Sequence, residues 1–391
     1  MASSFKNFLP EDIAITRTLL HEAIPVTGTI VSGTYQTGGE LTPDNIKDYS
    51  HGMFESVYDY PYLSSSANQI FDITVGYASG SALSGNLEAD GILRTQQAKK
   101  INIYNQMTLL LNNLDVSGNI KPFDRSGADD EDEETDMREA FFVSFARLLV
   151  KDEIKKNSFR MTVFTGSSGS VAAGTRPGII PAPHAKGLTV VLGDYGAQTT
   201  YKSNSPAGEY GLLYTSSARV GEVDNPPKGL LFYQAGLAVI TASLYGTSSA
   251  LAAAELKDIN VPKFGVPDNA APHNMTSSVI NMFRTGSIKQ CADALRYTID
   301  NIQFNNTTEL NSTIYFCRAH NTEYNYSANP TYVSSSEIVV KGENPMADPV
   351  AYITSVGLYS PDNELLAVAK LSEPLKKTPS NELTLRVRLD Y

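Results

Sequence analysis

The stretch Val356–Lys370, VGLYSPDNELLAVAK, has the pattern of a strand, a tight turn and a second strand. Pro361 fixes the φ angle that the start of a turn needs, and Asp362 or Asn363 tolerates the unusual backbone angles that follow. The last segment of the sequence, LTLRVRLDY, alternates apolar and polar residues, which is typical of an antiparallel strand with one solvent-exposed face. We expect residues 356–391 to form an antiparallel unit in which four side chains face a core: Leu383, Leu385, Val387 and Leu389.

The same strand signals recur over much of the chain. Segments rich in Ile, Val, Thr and Tyr, punctuated by Gly and Pro, occupy residues 1–80, 160–245 and the last ninety residues. No repeat of fixed period is visible, which argues against a solenoid or a propeller. The sequence therefore predicts a β-rich α+β fold with antiparallel sheets, three or so amphipathic helices and a C-terminal antiparallel β unit.

Residues 137–156 have the strongest helical pattern, in DMREAFFVSFARLLVKDEIKKN. Asp136 stands where an N-cap would be, and Glu139 follows at the spacing of a capping box. Four apolar side chains recur at helical spacing: Met137, Phe141, Phe145 and Leu148. We expect a helix over this whole range.

Two further segments favour helices. Near residues 95–115 the apolar side chains cover two adjoining helical faces, which predicts a helix buried over a wide arc. In SIKQCADALRYTIDNI, Ser287 and Gln290 have capping-box spacing, and TSSVINMFRTG precedes it as a possible helix. One face of the SIKQCADALRYTIDNI helix would carry Ile288, Cys291, Leu295 and Ile299.

The length of 391 residues favours more than one domain. We divide the sequence into an N-terminal α+β region at 1–158, with the helices near 95–115 and 137–156, and a β-rich, loop-rich middle region at 159–275. The middle region is a possible insertion. Residues 276–391 would then hold helices followed by the C-terminal antiparallel β unit.

Composition limits the classes of partner. The net charge of −11 argues against broad binding to a nucleic-acid backbone, which needs clustered Lys and Arg. No uninterrupted apolar stretch approaches the length of a membrane span, and the N-terminus lacks the pattern of a secretory signal. Cys291 and Cys317 lie in a predicted helix and a predicted strand, so we expect two free thiols in a protein made in a reducing compartment.

Motifs that carry chemistry are not recognisable in this sequence. The histidines are scattered at His21, His51, His184, His273 and His320, and Pro25 stands where HEAIP would need a second zinc ligand. No phosphate-binding loop or nucleophile elbow occurs. The acidic run DDEDEETD lacks the glycine and the terminal glutamate of an EF-hand calcium-binding loop, although Ca²⁺ binding stays open as a less favoured alternative. We assign no catalytic, cofactor-binding or metal-ligating residue and expect no cofactor and no enzymatic activity.

Tyrosine is abundant, with 21 residues, whereas tryptophan is absent. Tyrosine is enriched at protein interfaces because its ring is apolar while its hydroxyl tolerates water. A strand at the chain end either completes its own sheet or pairs with a neighbour, and both alternatives stay open at this point. Together these features favour a protein that acts through contacts with other subunits.

Several long sequence segments resemble virion structural proteins of contractile-tailed, T4-like bacteriophages of the kind that infect cyanobacteria and rhizobia. They are HGMFESVYDYPYLSSSANQIFDITVG, IQFNNTTELNSTIYFCRAHNTEYNYSANPTY, AYITSVGLYSPDNELLAVAKLSEPLKK and LTLRVRLDY. The hairpin phrase is similar to one found in phage baseplate and tail-fibre attachment proteins. The resemblance implies a baseplate or tail component, located in the virion after synthesis in the host cytoplasm. It would form a symmetric homo-oligomer that contacts other virion structural proteins.

Two alternatives accompany this expectation. The chain could occupy the neck, the collar or the head surface of the particle instead of the baseplate. It could also be a glycan-binding receptor protein of the tail, since exposed tyrosines stack on sugars. The resemblance transfers no catalytic or ligand residue in either case.

Overall fold

The computed structural model describes residues 5–32, 44–79, 94–112, 114–115, 117–127, 135–164, 189–215, 226–245, 260–261, 273–274, 283, 287–327, 330–334, 337–338, 346 and 348–391. The chain forms two compact units. We call residues 1–20 together with 309–391 the terminal unit, and residues 21–308 the central unit.

The described residues form five helices and twenty-two strands. The helices are α1 (Gly28–Ser32), α2 (Arg94–Leu111), α3 (Arg147–Val150), α4 (Ala197–Thr200) and α5 (Ile288–Thr298). The first eleven strands are β1 (Ile13–Thr27), β2 (Ile46–Asp48), β3 (Glu55–Tyr58), β4 (Gln69–Tyr77), β5 (Phe123–Asp124), β6 (Asp136–Met137), β7 (Glu139–Phe145), β8 (Glu153–Ile154), β9 (Arg160–Phe164), β10 (Thr189–Gly193) and β11 (Lys202–Ser205). The remaining strands are β12 (Gly208–Leu213), β13 (Gly229–Phe232), β14 (Leu237–Thr241), β15 (Asn260–Val261), β16 (His273–Asn274), β17 (Ile299–Ala319), β18 (Val333–Ser334), β19 (Glu337–Ile338), β20 (Ala351–Tyr359), β21 (Leu365–Lys377) and β22 (Leu383–Asp390).

The central unit is built around an eight-stranded sheet with the order β11-β12-β13-β14-β7-β4-β3-β2. All of its neighbouring strands are antiparallel. Its middle strands are buried on both faces, and α2 and α5 pack against β4. The hydrophobic core of the protein extends from Val26 to Phe304 in sequence and lies wholly within this unit.

The 21-residue strand β17 organises a second sheet. In the central unit it pairs with β9, which continues to β10, and with β8. In the terminal unit its residues Ser312–Ala319 pair with the final strand β22. The strand β1 lies at the edge of this sheet as a further neighbour of β17.

The C-terminal hairpin forms as the sequence indicates. β20 and β21 pair antiparallel across a turn in which Asn363 adopts a φ of 63° and donates its N–H to the Ser360 carbonyl at 3.0 Å. The final strand shows the predicted alternation, with Val387 buried and the alternate arginines exposed. This strand pairs with β17 and not with β21, so the C-terminal strands belong to two different sheets. The prediction of a β-rich α+β fold with antiparallel sheets and a C-terminal antiparallel unit is confirmed.

The prediction of a helix over residues 137–156 is wrong. The structure has the strands β6 and β7 over most of its first half, the single turn of α3, and the short strand β8. Asp136, proposed as an N-cap, lies in β6 and pairs with Asp124. The strand β7 lies between β4 and β14 and is covered on both faces, so its apolar residues are continuous instead of alternating. A continuous apolar run also satisfies helical spacing.

The other two helices occur where the sequence places them, as α2 and α5, but α5 ends at Thr298, and Ile299, which was expected on its apolar face, begins β17. The α5 face carrying Ile288, Cys291 and Leu295 is fully buried. For α2 the expected burial holds for Ile103, Tyr104, Thr108 and Leu111, whereas Leu110 and nearby Leu114 are exposed. Most of TSSVINMFRTG and of the acidic run lies outside the described residues, and the division into regions 1–158, 159–275 and 276–391 stays a prediction.

Candidate functional site

Exposed apolar side chains are concentrated in the terminal unit. Sixteen of the twenty-four large apolar side chains exposed among the described residues belong to it, although it holds only about a quarter of the chain. These are Phe5, Leu9, Ile13, Ile15, Leu19, Leu20, Leu310, Tyr324, Tyr326, Met346, Tyr352, Tyr359, Leu365, Leu366, Val368 and Tyr391. Such a density of exposed apolar surface marks an interaction site or a surface that would otherwise aggregate.

The terminal unit also lacks a deeply buried core among its described residues. Its best-buried apolar side chains are between 5% and 9% exposed: Ile314, Ala319, Ala351, Leu358 and Val387. The central unit, in contrast, contains many apolar side chains with no exposure at all. A sheet layer without a core of its own gains stability when another surface covers it.

The uncovered apolar surface of the terminal unit is clearest at the β20–β21 hairpin. Leu366 and Val368 project from one face of β21 and are 68% and 55% exposed. At the base of the hairpin, the Lys377 ammonium is fully buried and donates to the Asn325 side-chain oxygen at 2.7 Å and to the Asn321 carbonyl at 3.3 Å. The base of the hairpin is therefore anchored while its apolar outer face remains uncovered.

A cleft of about 780 Å³ lies within the terminal unit. One wall is β20, whose nine residues all line it, and the other wall includes Phe316–Ala319 of β17 and Leu385 of β22. The N-terminal residues Phe5–Phe8 line it as well, and the Phe5 ring packs against Tyr359 at a centroid distance of 4.9 Å. The volume is in the range of ligand and peptide sites.

Ion pairs balance the charges along the cleft. The Asp12 carboxylate is 4% exposed, accepts the Leu9 N–H at 3.1 Å and lies 2.7 Å from the Arg318 Nε. The Lys6 ammonium donates to the Glu323 carboxylate at 2.6 Å. With these charges paired, the cleft presents mainly aromatic rings, small side chains and the backbone of β20.

The central unit contains a buried ionic cluster that joins α5 to β3. The Arg296 guanidinium lies 2.7 Å from Glu55 and 2.5 Å from Asp293, and it also donates to the Val31 carbonyl at 3.1 Å. Burial raises the pKa of Glu55 to about 8, while the attraction of Arg296 acts in the opposite direction. Both carboxylates are engaged with the Arg296 guanidinium, so the cluster is a structural link between elements.

A second buried carboxylate, Asp194, fixes the chain before β9. It accepts hydrogen bonds from the backbone N–H groups of Asn157 and Phe159 at 2.6 and 3.0 Å, from Arg160 at 3.0 Å and from the Tyr233 hydroxyl at 3.0 Å. Burial raises the pKa of Asp194 to about 6, and these hydrogen bonds oppose the rise. The four donors make this carboxylate a structural anchor.

The histidines lie apart from one another. His21 contacts Thr307 at 3.2 Å, His51 accepts the Met53 N–H at 3.1 Å, and His320 lies 3.9 Å from Glu382. His273 is in β16, and His184 falls outside the described residues. Among the described residues, no three His, Cys, Asp or Glu side chains come together in a way that could hold a metal ion.

Both cysteines are free thiols, Cys291 fully buried in α5 and Cys317 half-buried in β17, where it lines the cleft. No helix in the described part of the chain is long and apolar enough to cross a membrane.

Sequence reasoning missed the cleft because its walls come from three distant segments. The N-terminal residues, the end of β17 and β20 meet only after folding. One local signal was present: two adjacent leucines, Leu365 and Leu366, follow the turn, whereas a strand with one solvent-exposed face would be expected to have a polar residue at one of these positions. Among the residues that the structure describes, the cleft offers a binding surface and no assembled set of acid, base and nucleophile.

Comparison with known proteins does not assign a function to this cleft. No family model, curated protein or solved structure matches the chain.

Proposed function

We propose that the chain is a structural component of a contractile-tailed phage virion, in the baseplate or tail, and that it acts through contacts between subunits. The observation that carries the proposal is the terminal unit, whose exposed apolar strands lack a deeply buried core among the described residues. Covering such surface is the main favourable contribution to protein association. The N-terminal and C-terminal sequence segments resemble virion proteins, and this resemblance is the reason for proposing a contractile-tailed phage particle.

The proposed protein has neither a catalytic centre nor a cofactor. Its partners are other virion structural proteins and further copies of itself, and it does not bind nucleic acid or membranes. Specific interfaces bury about 1,200–2,000 Å² in total, an area that several exposed strands together can supply. Neighbouring subunits would cover the apolar faces of β1 and of the β20–β21 hairpin.

The test is to locate the chain in purified particles of the phage that encodes it. Gold-labelled antibody against the central unit should mark the baseplate or tail in electron micrographs. Label at the neck, collar or head surface would favour that alternative position. Particles from which the chain is absent would overturn the proposal.

The cleft favours one second candidate, a glycan-binding receptor protein of the tail. Tyr326 and Tyr352 are 61% and 50% exposed at its rim, where sugar rings could stack on them, and Asn7 and Asn363 add hydrogen-bonding groups. Binding to host polysaccharide that Tyr326→Ala abolishes and Tyr201→Ala preserves would support it. Tyr201 is a suitable control because it is an exposed tyrosine of the central unit. Lack of binding to host polysaccharide and to a glycan array would exclude this candidate.

A further inference from the structure

The cleft already holds a segment of this chain, the N-terminal residues Phe5–Phe8. All four of these residues line the cleft, beside β20 and the end of β17. The Phe5 ring packs against Tyr359 with the ring centroids 4.9 Å apart, and the Lys6 ammonium donates to the Glu323 carboxylate at 2.6 Å. The structure therefore shows which segment the cleft recognises.

Side-chain contacts alone hold the N-terminal segment in place. Phe8 adds a third contact, with Tyr315 at a ring-centroid distance of 5.3 Å. Among the described residues, no backbone hydrogen bond joins residues 5–8 to the rest of the chain. Phe5 is still 49% exposed, so the segment is only partly covered. Aromatic pairs and exposed ion pairs are weak individually, so the segment can leave the cleft without loss of the fold.

The N-terminal segment is joined to β1 through an exposed hinge, residues 9–11. Behind the hinge, the Asp12 carboxylate is 4% exposed and lies 2.7 Å from the Arg318 Nε, which fixes the start of β1. Leu9 has the extended conformation that a following proline favours, with a φ of −82° and a ψ of 156°. Extended chain spans about 3.3 Å per residue, so residues 5–11 reach about 23 Å from Asp12. This reach is sufficient for the cleft of an adjoining copy.

We infer that residues 5–8 exchange between two copies of this chain, each copy placing them in the cleft of the other. This inference rests on the proposed function, because it names a contact through which copies of the assembly protein join. An exchanged segment makes in the partner the same contacts that it makes in the single chain, so it fits the cleft without any change in the walls. Only these four residues change place, and β17, β20 and β22 stay where they are.

The apolar surface around the cleft favours the exchanged pair. Because the exchanged contacts are identical in one copy and in two, the balance is decided by the additional surface that two adjoining copies cover. Three tyrosines that line the cleft provide such surface: Tyr326, Tyr352 and Tyr359 are 61%, 50% and 45% exposed. Covering their rings favours association.

Reversing the charges of the Lys6–Glu323 pair tests the exchange. Lys6→Glu and Glu323→Lys each place two like charges together when the segment lies in its own cleft. When the two variants are mixed, each segment meets an opposite charge only in the cleft of the other chain. We expect a heterodimer at least about tenfold tighter than the self-association of either variant, measured by sedimentation velocity with one chain labelled. The control is the variant with both changes in one chain, which restores the pair and should associate as the wild type does.

Photochemical cross-linking locates the segment directly. Benzoylphenylalanine at position 5 of the Glu323→Lys chain should cross-link, in the mixture, to the cleft of the Lys6→Glu chain, as identified by mass spectrometry. The same amino acid at position 63 is the control, because Leu63 is 87% exposed and belongs to the central unit. We expect the control to give few cross-links between chains.

The outcomes separate this inference from the proposed function. Cross-links confined to single chains, in a mixture that associates no more tightly than its components, would overturn the exchange. Wild-type oligomers that persist beside that result would leave the assembly role standing. Absence of both self-association and incorporation of the chain into particles would overturn both.

Discussion

The uncovered face of the β20–β21 hairpin gives a quantitative prediction. Replacing Leu366 by Ser and Val368 by Thr removes apolar groups that are 68% and 55% exposed in the single chain. Burying a whole side chain of this kind contributes about 1.5–3 kcal/mol, so covering the exposed fractions is worth about 1–2 kcal/mol each. If a second subunit covers this face, the double variant should lose about 3 kcal/mol of association free energy, or about 150-fold in dissociation constant.

Sedimentation equilibrium of the purified chain measures this loss. The matched control is Leu63→Ser with Leu148→Ser, which removes similarly exposed leucines from the central unit. We expect the control to change association less than about threefold, and both double variants to keep the wild-type unfolding free energy within about 0.5 kcal/mol per site. Equal losses in both variants, or a wild-type chain that stays monomeric at every concentration, would refute the reasoning.

Three further predictions concern the folded chain. Asp194→Asn should reveal a pH dependence: because the pKa of Asp194 is raised from 3.8 to about 6, the folded state binds its proton more tightly than the unfolded state. The stability that Asp194 contributes is therefore greatest below pH ~4 and is lost as pH rises through ~6, by about 1.4 kcal/mol per pH unit at most. Urea unfolding of wild type and variant across this range measures the difference, and a difference that grows with pH would contradict the assignment. Asn363→Val should loosen the hairpin by about 1–2 kcal/mol, since residue 363 has a φ of 63°, whereas Asn363→Gly should not; hydrogen exchange of β20 amides distinguishes them, and equal exchange would count against the turn. Phe145→Ala should cost about 3–5 kcal/mol in chemical denaturation, because the ring lies 5.1 Å from Phe304 and 5.9 Å from Phe71 in the core, and a loss below about 1 kcal/mol would mean that this packing is not formed.

The C-terminal hairpin was predictable because its signals are local. Pro361 and Asn363 define the turn, and the flanking residues have the composition of strands. The register of the last strand was also predictable as an alternation, since Leu385 and Val387 point toward the less exposed face. Its partner was not, because pairing with β17 joins residues 312–319 to 383–390, and nothing in the local pattern specifies a contact at that separation.

The failure at β7 has a different cause. A strand covered on both faces needs no polar alternation, and Glu139–Phe145 shows none. The run Phe141–Val143 does favour a strand. However, Met137 and Leu148 lie at helical spacing from the apolar residues of this run, although the structure places them in β6 and α3. The exposure of individual apolar side chains could not be predicted from the sequence either. A leucine such as Leu366 occurs in the same local pattern whether or not another surface covers it in the folded protein.

Pro374 and the ladder irregularity beside it set a limit on the outer edge of β21. Proline has no backbone N–H, so a strand laid along that edge would find no donor at residue 374. Lateral extension of the hairpin on this side would therefore be interrupted, which reduces the tendency of its apolar strands to build a continuous fibril.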